Sequence, residues 1–468
     1  MTKNISKKQL PLIHYFIAVV VFGITMISCQ EEKAILPTKI TNNIVNLSAK
    51  HLLISHIASG LLDTLPRDKA TPLLVDIKSP RILTLSEGMT DHYIYVEPEQ
   101  VIELVKSNQK IVLSAPSKEN DYLQEFDRLH QEANMEFTIE DLTFNEVDTF
   151  INSVFKKYKK LEALNKKIVE DASLNDYFKT AIKNRLAAAL GNEILSYDYL
   201  YEYHHKRKPF KPDNFYDGIK IIPLDETLLL FKDGKDFGGQ LNVKGMNYKD
   251  FPSLADYFTE TYQRVPNTFS KSVVQNFFAF QALENQVSVG SGIDGIDEMV
   301  VDFKSKKPNA YFTKKLEGIL SPWAKLRKGM PAPNFTGFTA DGKKMLLSEL
   351  KGKRVYVDVW ATWCGPCIAE IPSLKKLETD FHPAGVEFLS ISIDEELSKQ
   401  TWLDYIKDNN LGGIQLLADG AWRSDVMKNY NIRGIPRFLL IDEAGKIVSA
   451  NAPRPSSDEV KALIESSL

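Results

Sequence analysis

The stretch KRVYVDVWATWCGPCIAE, Lys353 to Glu370, constrains this chain more than any other. It opens as an apolar run without helical period, KRVYVDVWA, which reads as a buried strand. From Cys367 the text CIAEIPSLKKLETDF reads as a helix, so Cys364 and Cys367 fall where a buried strand gives way to a helix. They are two of only three cysteines in 468 residues. A bridge between them closes a very short loop, which restricts the unfolded chain too little to act as a staple.

The position explains what the pair can do. At a helix start the backbone N–H groups are unpaired and the macrodipole is positive, and both favour thiolate over thiol at Cys364. The dipole alone contributes only ~0.3–1 kcal/mol. Hydrogen bonds to the sulfur, including one from the Cys367 side, are expected to contribute more. Cys367 lies on the same face of the first turn, and Pro366 fits that turn because its missing N–H would be unpaired anyway. A lone CxxC is also half a zinc site, which needs two further Cys or His ligands. No second CxxC exists and His382 is the only histidine after residue 325. Neither a metal nor another cofactor is expected.

Further along, VEFLSISID reads as a strand and KQTWLDYIKDNN as a helix. RFLLIDEAGKIVSA reads as a hairpin turning at Glu443-Ala444-Gly445, and DEVKALIESSL as a final helix. That is a βαβ unit followed by ββα. Its boundary falls at LRKGMPAPNF, where Gly329, Pro331 and Pro333 interrupt helical text. Residues 118–325 read as mainly α-helical. Val147, Phe150, Ile151, Val154, Phe155, Tyr158, Leu161, Leu164 and Ile168 trace one apolar stripe. Phe178, Ile182, Leu186, Ala189, Leu190 and Ile194 trace a second. Residues 206–251, with scattered Gly and Pro, read as irregular. Residues 49–117 read as a small β-rich domain of short apolar runs punctuated by Pro72, Pro80, Pro98 and Pro116.

The N-terminus has its own pattern. Lys3, Lys7 and Lys8 precede an apolar run from Leu12 to Ile27. The run is short for a spanning helix, which needs about 20 residues, and fits an export signal over 1–28. Ser28 before Cys29 resembles a lipobox, the site where bacterial lipoproteins are cut and the cysteine acylated, although Met26-Ile27-Ser28 lacks the usual leucine and small-residue pair. The resemblance makes Cys29 the lipidation site, 29–48 a polar tether, and the protein extracytoplasmic and lipid-anchored to a bacterial membrane. Facing the periplasm is the expected arrangement, with the cell surface as the alternative. Glu31-Glu32 resembles the surface-export tag of Bacteroidetes lipoproteins. The other reading of this segment is an uncleaved anchor with an incidental cysteine. Outside the cytoplasm disulfides persist, yet the body of the chain holds no thiol beyond the Cys364–Cys367 pair.

VDVWATWCGPC resembles the thioredoxin active site, and NIRGIPRFLLIDEAGKIV its cis-proline strand and hairpin. KGMPAPNFTGFTADGKKMLLSELKGK resembles the extra N-terminal hairpin of the TlpA/ResA branch, extracytoplasmic thiol–disulfide oxidoreductases. The resemblance covers 326–468. It implies an α/β thioredoxin fold there, a central mixed sheet flanked by helices, at the end of a multidomain chain. It makes Cys364 the nucleophile that forms a mixed disulfide with substrate, and Cys367 the residue that resolves it. Thioredoxin-like motifs bring the first cysteine to a pKa of about 7, near the optimum for an attacking thiol. Trp363 becomes an apolar platform for substrate beside the turn carrying Gly365 and Pro366. Pro436 matches the cis-proline, and the backbone of Ile435 pairs with the substrate chain. Asp358 matches the buried acid of thioredoxins, which takes the proton from Cys367; the other reading is a capped core aspartate. Thioredoxin's buried lysine falls at Ser390. Glu395 matches a glutamate implicated in the ResA-like branch and shares the base role, or is an exposed loop acid. Arg437 stands where thioredoxin has a small residue, near the groove, and is expected to favour acidic substrates.

Other signals carry less. GSGIDG, Gly290 to Gly295, fits a dinucleotide fingerprint but follows helical text rather than a strand. YEYHHKRKPFKP, Tyr201 to Pro212, reads as a solvated helix end. The net charge of −3 gives no basic footprint for nucleic acid.

The expected function is an enzyme that reduces protein disulfides. The Gly-Pro dipeptide resembles thioredoxin, whose potential is about −270 mV against about −120 mV for the oxidant DsbA. Such a reductant needs electrons from a membrane donor. A thiol peroxidase is the alternative within redox chemistry, opposed by Trp363 directly before Cys364. A third reading is a binding lipoprotein whose region 30–325 recognises a protein or glycan.

Overall fold

The computed structural model describes residues 37–42, 52–65, 72–88, 90–107, 110–113, 117–137, 146–288, 292–293 and 295–468. Cys29 and the apolar leader lie outside the described residues, as do Gly290, Ser291 and Asp294 of the GSGIDG stretch. The chain forms two compact units. One comprises the chain up to Asn247 with Thr261–Ala279 and Lys306–Lys314; the other comprises Tyr248–Glu260, Phe280–Ser305 and Lys315–Leu468. The helical region expected as one block over 118–325 is therefore divided between them. Apolar period shows that a helix has a face to bury, not which core receives it.

The first unit begins with two four-stranded sheets. Strands β1 (Thr38–Asn42), β2 (Leu52–His56), β3 (Leu61–Leu65), β4 (Leu73–Val75), β5 (Arg81–Glu87), β6 (Thr90–Val96), β7 (Val101–Ser107) and β8 (Lys110–Leu113) pair in the orders β4-β1-β7-β8 and β3-β2-β5-β6. Ile40, Ile54, Leu85, Val96 and Leu104 from these strands share one core. β1 falls inside the stretch expected to be a tether. With Ile40 its only apolar residue it has no alternating signature, and its partners β4 and β7 lie far along the chain.

The expected helical stripes are present in the helices Val147–Glu170 and Asp176–His205, which follow Lys118–Glu136. All the stripe residues are buried except Phe155, which is half-buried. Residues 206–251 are more regular than expected, because Lys232–Asn242 is a helix. Its Gly234 and Gly238 are contact points, not breaks. A Cβ at Gly234 would lie 2.1 Å from the Leu228 carbonyl oxygen, and one at Gly238 would lie 2.2 Å from the Phe278 ring.

In the second unit, β9 (Thr336–Phe338), β10 (Lys344–Leu346), β11 (Arg354–Trp360), β12 (Val386–Ser392), β13 (Ile414–Ala418), β14 (Arg437–Ile441) and β15 (Ile447–Ser449) form one sheet ordered β10-β9-β13-β12-β11-β14-β15. β11, β12 and β13 run parallel, and β14 is antiparallel to β11. Every residue of β11 is buried, as a central strand covered on both faces requires. The helices Gly365–Phe381, Lys399–Asp408, Asp425–Asn429 and Glu459–Glu465 complete the α/β layer pattern. Leu377, Phe381, Val460 and Ile464 pack on Tyr356, Phe388, Phe438 and Leu440. β13 is a strand that the sequence reading lacked; it is short, and glycines at 412, 413 and 420 flank it. Gly292 lies against the Trp323 ring, where an added Cβ would come within 2.9 Å.

Candidate active site

β11 ends at Trp360, and the chain turns through Ala361, Thr362 and Trp363 into the helix Gly365–Phe381. Cys364 is the N-cap of that helix. Its Sγ accepts a hydrogen bond from the Cys367 N–H at 3.2 Å, and its carbonyl accepts from the N–H groups of Cys367 and Ile368, each at 3.0 Å. An acceptor is what a helix N-cap supplies. The same N–H would favour thiolate at Cys364 in the reduced protein. The two sulfurs are joined in a disulfide and both cysteines are buried. Gly365 and Pro366 are exposed at the mouth, and Trp363 is exposed beside them.

The turn is fastened from below. Asp394, buried just past β12, accepts hydrogen bonds from the Thr362 N–H at 3.0 Å and the Thr362 hydroxyl at 2.7 Å. Ser392 donates to the same carboxylate at 2.6 Å. Glu395, the neighbouring acid proposed from sequence, is exposed instead at the start of the short turn Glu396–Ser398. Which of two adjacent acids turns inward depends on where the strand stops.

Asp358 lies in β11 opposite Ser390 of β12. Burial lifts its carboxyl from the ordinary 3.8 to about 7; the Ser390 hydroxyl, donating at 3.4 Å, opposes the rise and the negative Glu370 adds to it. Glu370, missed in the sequence reading, is buried three residues after Cys367. It accepts from the Ser456 N–H at 3.0 Å and hydroxyl at 2.9 Å, with Arg454 at 3.7 Å. The signal that would have found it is the i, i+3 spacing behind Cys367, which sets both residues on one side of the helix.

The Ile435–Pro436 peptide is cis. Val359 pairs with Arg437 across β11 and β14, so Pro436 sits beside the end of β11 where the dithiol turn begins. Arg437, expected near the groove, is half-buried and engaged within the domain. Its Nη1 donates to Asn451 Oδ1, its guanidinium lies 6.0 Å from the centre of the Trp323 ring, and burial pushes its pKa down to about 10. A second tryptophan, Trp422, also absent from the sequence reading, stands with its ring centre 6.3 Å from that of Trp363. Among the described residues no cluster of three or more metal-ligating side chains occurs, and no helix is long and apolar enough to cross a membrane.

A buried dithiol at a helix N-terminus, a carboxyl held near neutrality and a cis-proline at the strand end make a site for thiol–disulfide exchange. The Redoxin family pattern matches residues 327–464. Thiol-disulfide oxidoreductase ResA of Bacillus cereus is 31% identical over 28% of this chain and 73% of its own length. The Bacillus subtilis ResA is 32% identical over 26% of this chain and 66% of its own. Among solved structures, the thioredoxin domain of a thiol-disulfide oxidoreductase from Bacteroides vulgatus is 30% identical over 30% of this chain and 97% of that one, with a TM-score of 0.27. A thiol:disulfide interchange protein from Bacteroides sp. is 31% identical over 30% and 90%, with a TM-score of 0.28. Through its C-terminal redoxin domain, the chain belongs to the ResA-type thiol-disulfide oxidoreductases.

Proposed function

We propose that the protein is a lipid-anchored, extracytoplasmic reductant of protein disulfides. The observation that carries the exchange chemistry is the buried Cys364–Cys367 pair at the N-terminus of the helix Gly365–Phe381, with Asp358 buried in the strand that leads into the turn. In the reduced enzyme the Cys364 thiolate attacks one sulfur of a substrate disulfide. The substrate S–S bond breaks, the leaving sulfur takes a proton, and a Cys364–substrate mixed disulfide forms. Asp358 accepts the proton of Cys367, and the Cys367 thiolate attacks Cys364 Sγ. The enzyme disulfide forms and the second substrate thiol leaves. Two electrons pass from the enzyme dithiol to the substrate, and a membrane dithiol donor returns them. Trp363, Gly365 and Pro366 face the substrate, and the Ile435 backbone pairs with it beside Pro436.

The reducing direction is supported by the Gly365-Pro366 dipeptide and by Ile435 before the cis-proline, both thioredoxin-like. A redox titration of the soluble chain starting after Cys29 tests it. A potential at or below about −250 mV is expected, and one between about −120 and −180 mV would overturn the direction. The anchor is supported by the Leu12–Ile27 run and Ser28-Cys29. Labelled fatty acid is expected to enter the wild type and not Cys29→Ser; a wild type that takes up no label would refute lipidation.

A further inference from the structure

Of the five tryptophans, three are buried: Trp323, Trp360 and Trp402. The two others, Trp363 and Trp422, are 57% and 44% exposed, and they stand together with ring planes inclined by 33°. Large apolar rings left in water side by side are unfavourable unless something covers them. The backbone below Trp422 adds a second observation. Gly420 and Ala421 both take the left-handed conformation, with φ of 87° and 50°. For alanine that region is strained. The turn is locked all the same, because the Arg423 N–H donates to the Gly420 carbonyl at 2.8 Å and the Ser424 N–H to the Ala421 carbonyl at 3.0 Å. Ala421 and Ser424 are buried on either side, so Trp422 is held outwards by anchored neighbours. Strain kept by a packed surround is characteristic of working sites.

We propose that Trp422 determines specificity. With Trp363 it forms an aromatic seat for an apolar or aromatic side chain of the substrate polypeptide, next to the substrate's own cysteine. The inference rests on the exchange reading above and names the substrates of that same site. The occupant follows from covalent adjacency. Trp363 is bonded to Cys364, so a mixed disulfide at Cys364 brings the residues flanking the substrate cysteine to these rings. An apolar side chain there covers both rings; a polar one leaves them wet. Protein disulfides flanked by apolar residues, as in unfolded or partly folded chains, are then reduced in preference to those in polar surroundings.

The test uses two disulfide peptides identical except for Phe or Ser before the cysteine, reacted with the reduced soluble protein by stopped flow. The wild type is expected to prefer the Phe peptide by about tenfold, the scale of one well-formed aromatic contact. Trp422→Ala is expected to bring the ratio close to one, while Trp422→Phe keeps most of it and shows that the turn still folds. A wild-type ratio near one, or the same ratio in Trp422→Ala, overturns the proposal. So does a wild-type dimer that Trp422→Ala makes monomeric, since the rings would then cover a second copy of the chain. If the wild type exchanges with neither peptide nor with glutathione disulfide, the exchange reading itself fails and this inference with it.

Discussion

Ser390 Oγ donates a 3.4 Å hydrogen bond to Asp358 Oδ2 across the β11–β12 pairing. The bond favours the charged carboxylate and opposes the burial that raises it. Ser390→Ala is expected to move the acid limb of the exchange rate upwards by about 0.3–1 pH unit, the equivalent of a hydrogen bond of about 0.5–1.5 kcal/mol. A pH–rate profile of the reduced enzyme checks this, and an unmoved or lowered limb would count against Asp358 as the base.

The same carboxyl makes stability depend on pH. The folded protein holds this proton up to about pH 7, whereas the unfolded chain releases it near 3.8. Its contribution is therefore fully present below pH 3.8 and is lost as pH rises to about 7. The gap corresponds to a loss of the order of 4 kcal/mol above that range. Asp358→Asn, which cannot ionise, is expected to be more stable than the wild type at pH 8 by up to this amount, with little difference at pH 4. Urea melts at both pH values check the sign; a less stable variant at pH 8 would refute it.

Asp394 and Glu395 are adjacent acids with different surroundings. Asp394→Asn weakens the charge-assisted bonds from Thr362, each of about 1.5–3 kcal/mol. It is expected to slow exchange more than Glu395→Gln does. Insulin reduction by the two variants, with their melting temperatures, decides the point. A larger effect at Glu395 would restore it as the candidate base.

Arg437 packs against Trp323 and bonds Asn451 instead of facing the substrate. Arg437→Glu is expected to destabilise the protein by about 1–3 kcal/mol, the scale of losing the hydrogen bond from a charged group to Asn451. The ratio of rates for acidic and neutral peptides should stay the same. Selective slowing of the acidic peptide would show that the guanidinium reaches the groove after all.

In the first unit, Gly234→Ala would push a methyl into the Leu228 carbonyl. Overpacking of this kind is expected to cost about 1–3 kcal/mol. A denaturant midpoint as high as the wild type's would mean that the turn Glu226–Leu229 can give way.

The dithiol, its place at a strand–helix junction, the proline at 436 and the acid at 358 were all legible in the sequence. The dithiol's place follows from chain-local order, a buried run meeting a CxxC spacing, whereas the roles of Pro436 and Asp358 came from the resemblance of their segments to thioredoxin. The helical stripes were legible from local order too, because period 3.6 is written along one segment. What the sequence left open was decided by partners distant along the chain. β1 is a strand because β4 and β7 supply its ladder, although TKITN has a single apolar residue. Residues 206–251 read as irregular from their scattered Gly and Pro, yet Gly234 and Gly238 sit in a helix where Leu228 and Phe278 lie against them. Asp394 turns inward and Glu395 outward because β12 stops where it does. Arg437 is half-buried and its guanidinium is turned towards Asn451 and Trp323, the latter more than a hundred residues earlier. Trp422 becomes part of the site only because a left-handed turn after β13 brings it to Trp363. Local pattern determines which elements form and what chemistry they carry. Which side chains meet across elements depends on how the folded chain excludes water and fills space, and no single segment records that.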